Sequence, residues 1–309
     1  MYLWLLLVQF ITQFTIREYS MRALGWFKSV GLIAAASISA LPFIFSSKVA
    51  QSQSSVSVHM TMGNPSNAVT NTSYPTNYLL VKSQYALSYN NNTGIPNWVS
   101  WQLNNSWLGS TPRQDDFRAD TTLPSTFKRI SGSDYTGSGF DRGHMTPSAD
   151  RTNTVSSNSS TFLMTNILPQ SPDNNQGPWA NLENYARTLV SQGKELYIIS
   201  GSYGTCGTGS NGSKCSFPAA TNNSYSVTVP ARTWKVMVVL DNPGSGAGGV
   251  TTSTRVIAID MPNTQGIRSI PWQNYRTTVD SIEQKTGYNL LSSVASSTQT
   301  VIEARVDNQ

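Results

Sequence analysis

The sequence predicts an α+β domain: a central antiparallel β-sheet flanked by helices. Three observations lead there. Six segments rich in Val, Ile, Tyr and Trp read as strands, whereas only two segments keep a clear helical spacing. The two kinds do not alternate along the chain, as a doubly wound parallel sheet would require. No repeat of 20–50 residues and no low-complexity block divides the chain.

The strand-like segments are Asn77 to Lys82, Trp98 to Leu103, Glu195 to Ser200, Tyr225 to Val229, Thr233 to Asp241 and Thr254 to Asp260. The clearest helix is Pro178 to Gln192. Pro178 suits a first helical turn, and Trp179, Leu182, Tyr185, Ala186, Leu189 and Val190 keep apolar spacing until Gly193. A second helix is expected from about Thr278 to Lys285, with Val279 and Ile282 facing inward.

Ahead of these elements lies a leader. From Met21 the chain reads Arg22, Lys28, an apolar run Val30 to Phe45, and then Ser46-Ser47-Lys48-Val49-Ala50-Gln51. That order matches a secretory signal peptide, with cleavage expected after Ala50. The apolar run is short for a spanning helix, which needs about 20 residues. A further apolar run, Tyr2 to Phe14, precedes this complete signal and points to translation starting at Met21; a membrane-anchored form using both segments is the alternative. The expected organisation is therefore a leader over 1–50, a flexible run-in over 51–58 and one domain over 59–309. The product is secreted or periplasmic, with no stable membrane association after processing.

Net charge is +5 for the whole chain. The leader takes Arg17, Arg22, Lys28, Lys48 and Glu18 from 21 basic and 16 acidic residues, leaving 17 and 15. Such a balance does not by itself predict nucleic-acid binding, so phosphate affinity has to come from a few converging arginines. Cys206 and Cys215 flank a Gly/Ser-rich loop. In an exported protein a disulfide closing this loop is expected, the alternative being two free thiols. With His59 and His144 as the only histidines, a metal site involving these cysteines is disfavoured.

Several chemistries find no support. Gly244, Gly246 and Gly249 satisfy G-x-G-x-x-G, but the segment after them is strand-like, so a glycine loop between strands explains them better than a dinucleotide site. No P-loop and no G-x-S-x-G elbow occurs. The informative stretch is Asp141-Arg142-Gly143-His144. A neutral imidazole can take a proton from water near neutral pH, and a guanidinium can hold phosphate oxygens in a bidentate fork. Taken alone, the tetrapeptide reads better as a surface turn with incidental charges.

Downstream, Thr165-Asn166-Ile167-Leu168-Pro169-Gln170-Ser171-Pro172-Asp173-Asn174-Asn175 runs into the helix carrying Glu183 and Arg187. Four residues apart, these two share a helical face and could form a surface ion pair. An amide-rich segment leading into a Glu/Arg helix also offers hard oxygen donors and a phosphate-binding cation. A hard divalent ion such as Mg²⁺ needs few protein ligands.

In these three motifs, their order and their spacing, the sequence resembles the DNA/RNA non-specific endonucleases of the ββα-metal superfamily. The likeness extends upstream to Trp107-Leu108-Gly109 and Arg113 to Asp120, covers nearly the whole mature chain, and is closest to the cyanobacterial and Serratia-type secreted nucleases. It implies an antiparallel sheet with a ββα-metal finger as active site. It implies hydrolysis of phosphodiester bonds in DNA and RNA, single- or double-stranded, to 5′-phosphate oligonucleotides.

By the same resemblance His144 is the general base and Asn175 the direct ligand of Mg²⁺, for which Mn²⁺ can substitute. Glu183 holds the metal through water. Arg113, Arg142 and Arg187 bind phosphate and stabilise transition-state charge, and Asp141 has an orienting role the sequence does not specify. Asn166 and Gln170 are expected to hold backbone or support the site from behind it. Relatives bind a small inhibitor protein, a partner the sequence leaves open.

His59 is expected at the surface of the run-in, and Arg118 and Arg151 on solvated faces. Trp98, Trp101 and Trp107 could stack on bases, while Trp179 is expected in the core. A catalytically inactive nucleic-acid-binding protein of the same fold is the alternative reading. It would usually show loss of the base or the metal ligand, yet every one of those positions is filled.

Overall fold

The computed structural model describes residues 57–309. The expected leader and most of the run-in lie outside the described residues.

The chain begins its sheet with β1 (Tyr78–Val81), β2 (Ala86–Asn90) and β3 (Ile95–Leu103), paired antiparallel in sequence. It then leaves the sheet to form a separate antiparallel pair, β4 (Asp141–His144) and β5 (Ile167–Gln170), with helix α1 (Val155–Ser160) in the connection. A helical segment follows: one turn α2 (Pro172–Asn174), a wide π-helical turn Asn175–Trp179, and α3 (Ala180–Ser191). The pair and this segment make a ββα finger.

β6 (Glu195–Tyr203) returns to the sheet beside β3. Two small ladders come next, β7 (Gly207–Gly209) with β8 (Gly212–Lys214), and β9 (Ser216–Ala219) with β10 (Asn222–Thr228). β11 (Arg232–Leu240), β12 (Arg255–Pro262) and β13 (Arg276–Thr277) complete the sheet, and helices α4 (Val279–Thr286) and α5 (Ser296–Ile302) end the chain. The sheet has seven strands in the order β1-β2-β3-β6-β11-β12-β13, every neighbour antiparallel. This is the expected architecture.

Alternation along the central strands splits the core in two. One face carries Val99, Trp101, Leu103, Ile198, Met237, Val239 and Ile257, and packs on Trp179, Leu182, Ala186 and Leu189 of the finger. The opposite face carries Trp98, Ile199, Trp234, Val236 and Val238, and packs on Val279 and Ile282 of α4 and Ile302 of α5. Burial on both faces explains why β11 reads as a near-continuous apolar run.

The six strand segments and both helices read from sequence are present, with shifted ends. Thr278 caps α4, its hydroxyl accepting from the Ser281 amide at 3.0 Å. Pro178 does not open a helix. It sits inside the wide turn, where Gly177 departs from helical geometry with φ −111° and ψ −114°. A Cβ at Gly177 would stand 2.5 Å from the Arg268 carbonyl oxygen, so the kink needs glycine.

Four expectations are corrected. Ser57 and Val58, placed in a flexible run-in, already belong to the first helical turn, Val58–Met60, with Ser57 as its cap. His59 is buried; its Nε2 meets the Ser83 carbonyl at 2.9 Å and its Nδ1 accepts from the Gln102 amide. Arg151 is fully buried, donating to the carbonyls of Gln84, Gln102 and Asp150 and lying 4.1 Å over the Trp107 ring. Trp98 and Trp101 are core residues with no face left for a base. Polar residues went inward here because backbone carbonyls at strand ends needed donors.

Cys206 and Cys215 form a disulfide around the β7–β8 hairpin. The hairpin grips the chain just before β4: the Ser210 amide donates to the Gly139 carbonyl at 2.8 Å and Lys214 Nζ to the Ser138 carbonyl at 2.7 Å. Among the described residues no helix is long and apolar enough to cross a membrane. Replacing both cysteines by alanine is expected to cost about 2–3 kcal/mol, the loop-closure value for so short a ring. Urea denaturation measures it, and intact mass should rise by about two hydrogens when the native protein is reduced.

Candidate active site

The finger is shaped by one close cross-strand approach. Gly143 faces Leu168 in the β4–β5 register, and a Cβ at Gly143 would stand 2.3 Å from Gln170 Oε1 and 2.6 Å from Gln170 Cβ. The Gln170 side chain therefore occupies the space a larger residue would need, and its amide reaches on to Asn174 Oδ1. Asn166 holds the end of β4, accepting from the Thr146 amide and donating to the carbonyls of Thr146 and Thr161, each at 2.9 Å. Asn263, buried beyond β12, donates to the Pro169 and Pro230 carbonyls and accepts from the Ser171 amide, tying β5 to the sheet.

His144, at the end of β4, is nearly enclosed. Its ring meets Phe117 and Phe162 edge-on, with centroids 5.3 and 4.9 Å away. Arg142 lies 4.1 Å over the Phe117 ring and Arg113 4.8 Å over that of Phe162. Burial, together with the charges of Arg113 and Arg142, pushes the imidazole down to about 3, opposed only by the backbone of Arg142. His144 Nε2 has no hydrogen-bond partner among the described residues. The result is a neutral ring with a buried, unpartnered nitrogen beside two exposed guanidinium groups.

Asp141 and Asn175 are joined directly. Asn175 Nδ2 donates to Asp141 Oδ2 at 2.8 Å, and Gln176 Nε2 donates to the same oxygen at 2.7 Å. The acid of the D-R-G-H motif thus fixes which way the Asn175 amide points and leaves its carbonyl oxygen without a partner among the described residues. Arg113, Asp141, Arg142 and Asn175 line one cleft of about 390 Å³, together with Phe117, Tyr135 and Gln176. His144, Glu183 and Arg187 do not line it.

Glu183 and Arg187 belong to a second group and do not pair with each other. Arg187 Nη1 donates to Asp150 Oδ1 at 2.7 Å, while Asp150 Oδ2 accepts from Trp101 Nε1 at 3.0 Å. Glu183 Oε1 meets Lys235 Nζ at 3.3 Å. Lys235 projects from the middle of β11 and is only 1% exposed, its ammonium 4.1 Å over the Trp179 ring. Burial pushes the Glu183 carboxyl up, countered by Lys235 and Arg187. Burial likewise pushes Lys235 down, countered by Glu183 and Asp150. The two groups are linked by the turn Ser148–Asp150, whose Ser148 hydroxyl accepts from Arg113 at 2.9 Å.

All seven expected site residues therefore lie on the finger or on the segments packed against it. Sequence reading missed Lys235, Asp150 and the aromatic clamp Phe117/Phe162. A signal for Lys235 existed: a lone charge within Thr233-Trp234-Lys235-Val236-Met237-Val238-Val239 demands a buried partner.

The model of the DNA/RNA non-specific endonuclease family matches residues 62–297. This chain belongs to that family. It is accordingly an endonuclease of DNA and RNA, a phosphodiester hydrolase, in a family of metal-dependent nucleases. The chain is 54% identical to a nuclease of Nostoc sp. over 254 residues, covering 82% of this chain and 88% of the relative. It is 31% identical to the mitochondrial endonuclease G of Homo sapiens over 208 residues, covering 67% of each. The crystal structure of the EndoG/EndoGI complex superposes with a TM-score of 0.62 at 24% identity, covering 80% of this chain and 96% of that one. The last likeness supports the fold.

Two outcomes follow for the endonuclease. Gly143→Ala should lose stability and activity together, because the added methyl displaces Gln170 and with it the finger; thermal unfolding and nucleic-acid digestion read both. Lys235→Met leaves Glu183 buried without its countercharge, at a cost of about 3–5 kcal/mol. In that variant the Glu183 carboxyl, already raised, rises further above its unfolded value. The folded state then binds the extra proton at low pH, so the cost should be smaller at pH 5 than at pH 8 in urea titrations.

Proposed function

We propose that this endonuclease is exported and hydrolyses DNA and RNA to 5′-phosphate oligonucleotides, with His144 as general base and one Mg²⁺ ion as cofactor. The observation that carries this reading is the neutral His144 ring, its Nε2 free, held beside Arg113 and Arg142. In the proposed reaction His144 takes a proton from water as the water oxygen attacks phosphorus. The bond from phosphorus to the 3′ oxygen breaks, and that oxygen leaves as a hydroxyl once protonated. Arg113 and Arg142 hold the phosphate oxygens and meet the charge that grows on them, with Arg187 contributing positive charge from behind.

The residues present fit a hard divalent ion. Asn175 has its amide nitrogen committed to Asp141, so its oxygen is the donor on offer, and Glu183 on α3 supplies a carboxylate. Asn175 would hold Mg²⁺ directly and Glu183 through water, with Mn²⁺ able to substitute. Once bound, the ion supplies Lewis-acid stabilisation of the phosphate and a proton source for the leaving oxygen.

Export rests on the signal-like leader, and the disulfide is consistent with it. Because the arginines meet phosphate rather than base edges, binding should ignore sequence and weaken as salt rises. A small inhibitor protein is a candidate partner, since a structural neighbour is a complex that explains EndoG inhibition.

Plasmid and total RNA digested with Mg²⁺, with Mn²⁺ or with excess chelator, beside a His144→Ala variant, test the reading. Both polymers should be degraded, the chelator should stop it, and the variant should lose roughly 10²–10⁴-fold. A variant that cuts as well as wild type would remove His144 from the chemistry; an inactive wild type with every metal would favour the binding-protein alternative.

The pH profile tests the electrostatics. A base must be unprotonated, so activity falls as pH drops through its pKa. In the free enzyme burial and two cations hold His144 down; a bound phosphate offsets the cations and lets the pKa rise by their share. Any acid limb due to His144 should therefore lie at higher pH in kcat than in kcat/KM.

A further inference from the structure

Away from the finger, three carboxylates converge where the last two helices meet. Asp280 and Glu283 come from the first turns of α4, and Glu303 caps the C-terminal end of α5. One oxygen of each lies within 4.8 Å of the others. The helices also touch through backbone, the Asp280 amide donating to the Glu303 carbonyl at 3.1 Å.

Glu303 makes this cluster unusual. The residue is only 5% exposed, yet its carboxylate takes part in no hydrogen bond or ion pair among the described residues, and Oε1 is fully buried. Among the described residues no lysine or arginine pairs with any of the three: Lys285, also on α4, is committed to Asp260 at 2.8 Å. Glu303 also sits at the negative end of a helix, where an anion is disfavoured. A buried carboxylate facing two like charges and a helix C-terminus lacks the compensation that burial ordinarily demands. In keeping with that, burial with Glu283 and Asp280 pushes Glu303 up to about 7.

We propose that Asp280, Glu283 and Glu303 form a calcium site that ties α5 to α4. The number of carboxylates favours this ion. Three protein carboxylates around one point suit Ca²⁺, which takes 6–8 oxygens at about 2.3–2.6 Å, whereas Mg²⁺ is usually held by one or two carboxylates and keeps several waters. Glu283 keeps one oxygen on the Leu290 amide at 2.6 Å, which orients its carboxylate. Asp280 is exposed, so solvent can complete a shell of 6–8 oxygens. With few protein ligands the site belongs to the weak class, with Kd of about 10⁻⁴–10⁻³ M. It is distinct from the finger and plays no part in the nuclease chemistry.

Thermal unfolding of the chelator-treated protein at pH 8, with 10 mM Ca²⁺ or 10 mM Mg²⁺, tests the site. Calcium should raise Tm by about 3 °C, the shift expected at roughly ten times Kd for a chain of this size. The rise should persist in Asn175→Ala and disappear in both Glu303→Gln and Asp280→Asn, while Glu303→Gln keeps its nuclease activity. Asp280→Asn, at the exposed edge, carries the test if the buried substitution prevents folding. No calcium response in wild type, an equal response to magnesium, a response surviving in Asp280→Asn or Glu303→Gln, or one lost in Asn175→Ala would each overturn the proposal.

Discussion

Asp150, Glu183, Arg187 and Lys235 lie together between the finger and the sheet, and burial makes each depend on the others. A single charge there would face a desolvation cost of several kcal/mol; two of each sign in contact offset it. The consequence is geometric. Glu183 cannot move without abandoning Lys235, and Arg187 cannot swing outward without leaving Asp150 to Trp101 alone. The sheet thereby sets where α3 presents Glu183 and Arg187. α3 starts from Trp179, a core residue whose ring lies 4.1 Å beneath the Lys235 ammonium.

The finger obeys a different constraint, that of close approach. Gln170 crosses over Gly143, and the Arg268 backbone crosses over Gly177. These two contacts set the path of β4 against β5 and the angle at which the helical segment departs. Asp141 then joins the two halves through Asn175. The start of β4 and the start of the helical segment are thus coupled directly, and this fits a site that holds its groups in place before substrate arrives.

Much of this was legible in the sequence. The antiparallel α+β architecture followed from β-branched segments without alternating helices, and all seven expected site residues lie in or against the finger. The motifs are readable because the finger is local: β4, β5 and the helical segment are close in the chain, so their spacing is preserved in short signatures. What escaped notice is long-range. His59 and Arg151 look like solvated polar residues until β3 folds against them and supplies carbonyls and amides to their rings and guanidinium. Glu183 and Arg187, at i and i+4, suggested a surface pair; tertiary partners from β11 and the turn after β4 outcompeted that contact. Only Lys235 carried a local warning, as a charge within an apolar strand.

The electrostatics of the cleft also bear on selectivity under the proposed function. Arg113 and Arg142 stand exposed on aromatic rings rather than in carboxylate pockets, although Arg113 keeps Asp115 at 2.7 Å. Stacked on its ring, Arg142 keeps its in-plane donors uncommitted among the described residues, whereas Arg113 spends Nε on Asp115 and Nη1 on Ser148 and offers the remainder to an anion. The same positive charge that attracts phosphate weakens His144 as a base while the cleft lacks it, because both effects come from one pair of cations. Phosphate binding would offset the repulsion and strengthen the base in the same event. Basicity then depends on a charge every nucleotide carries, whatever its base or sugar, so a nuclease built this way has little means of distinguishing one sequence, or one nucleic acid, from another.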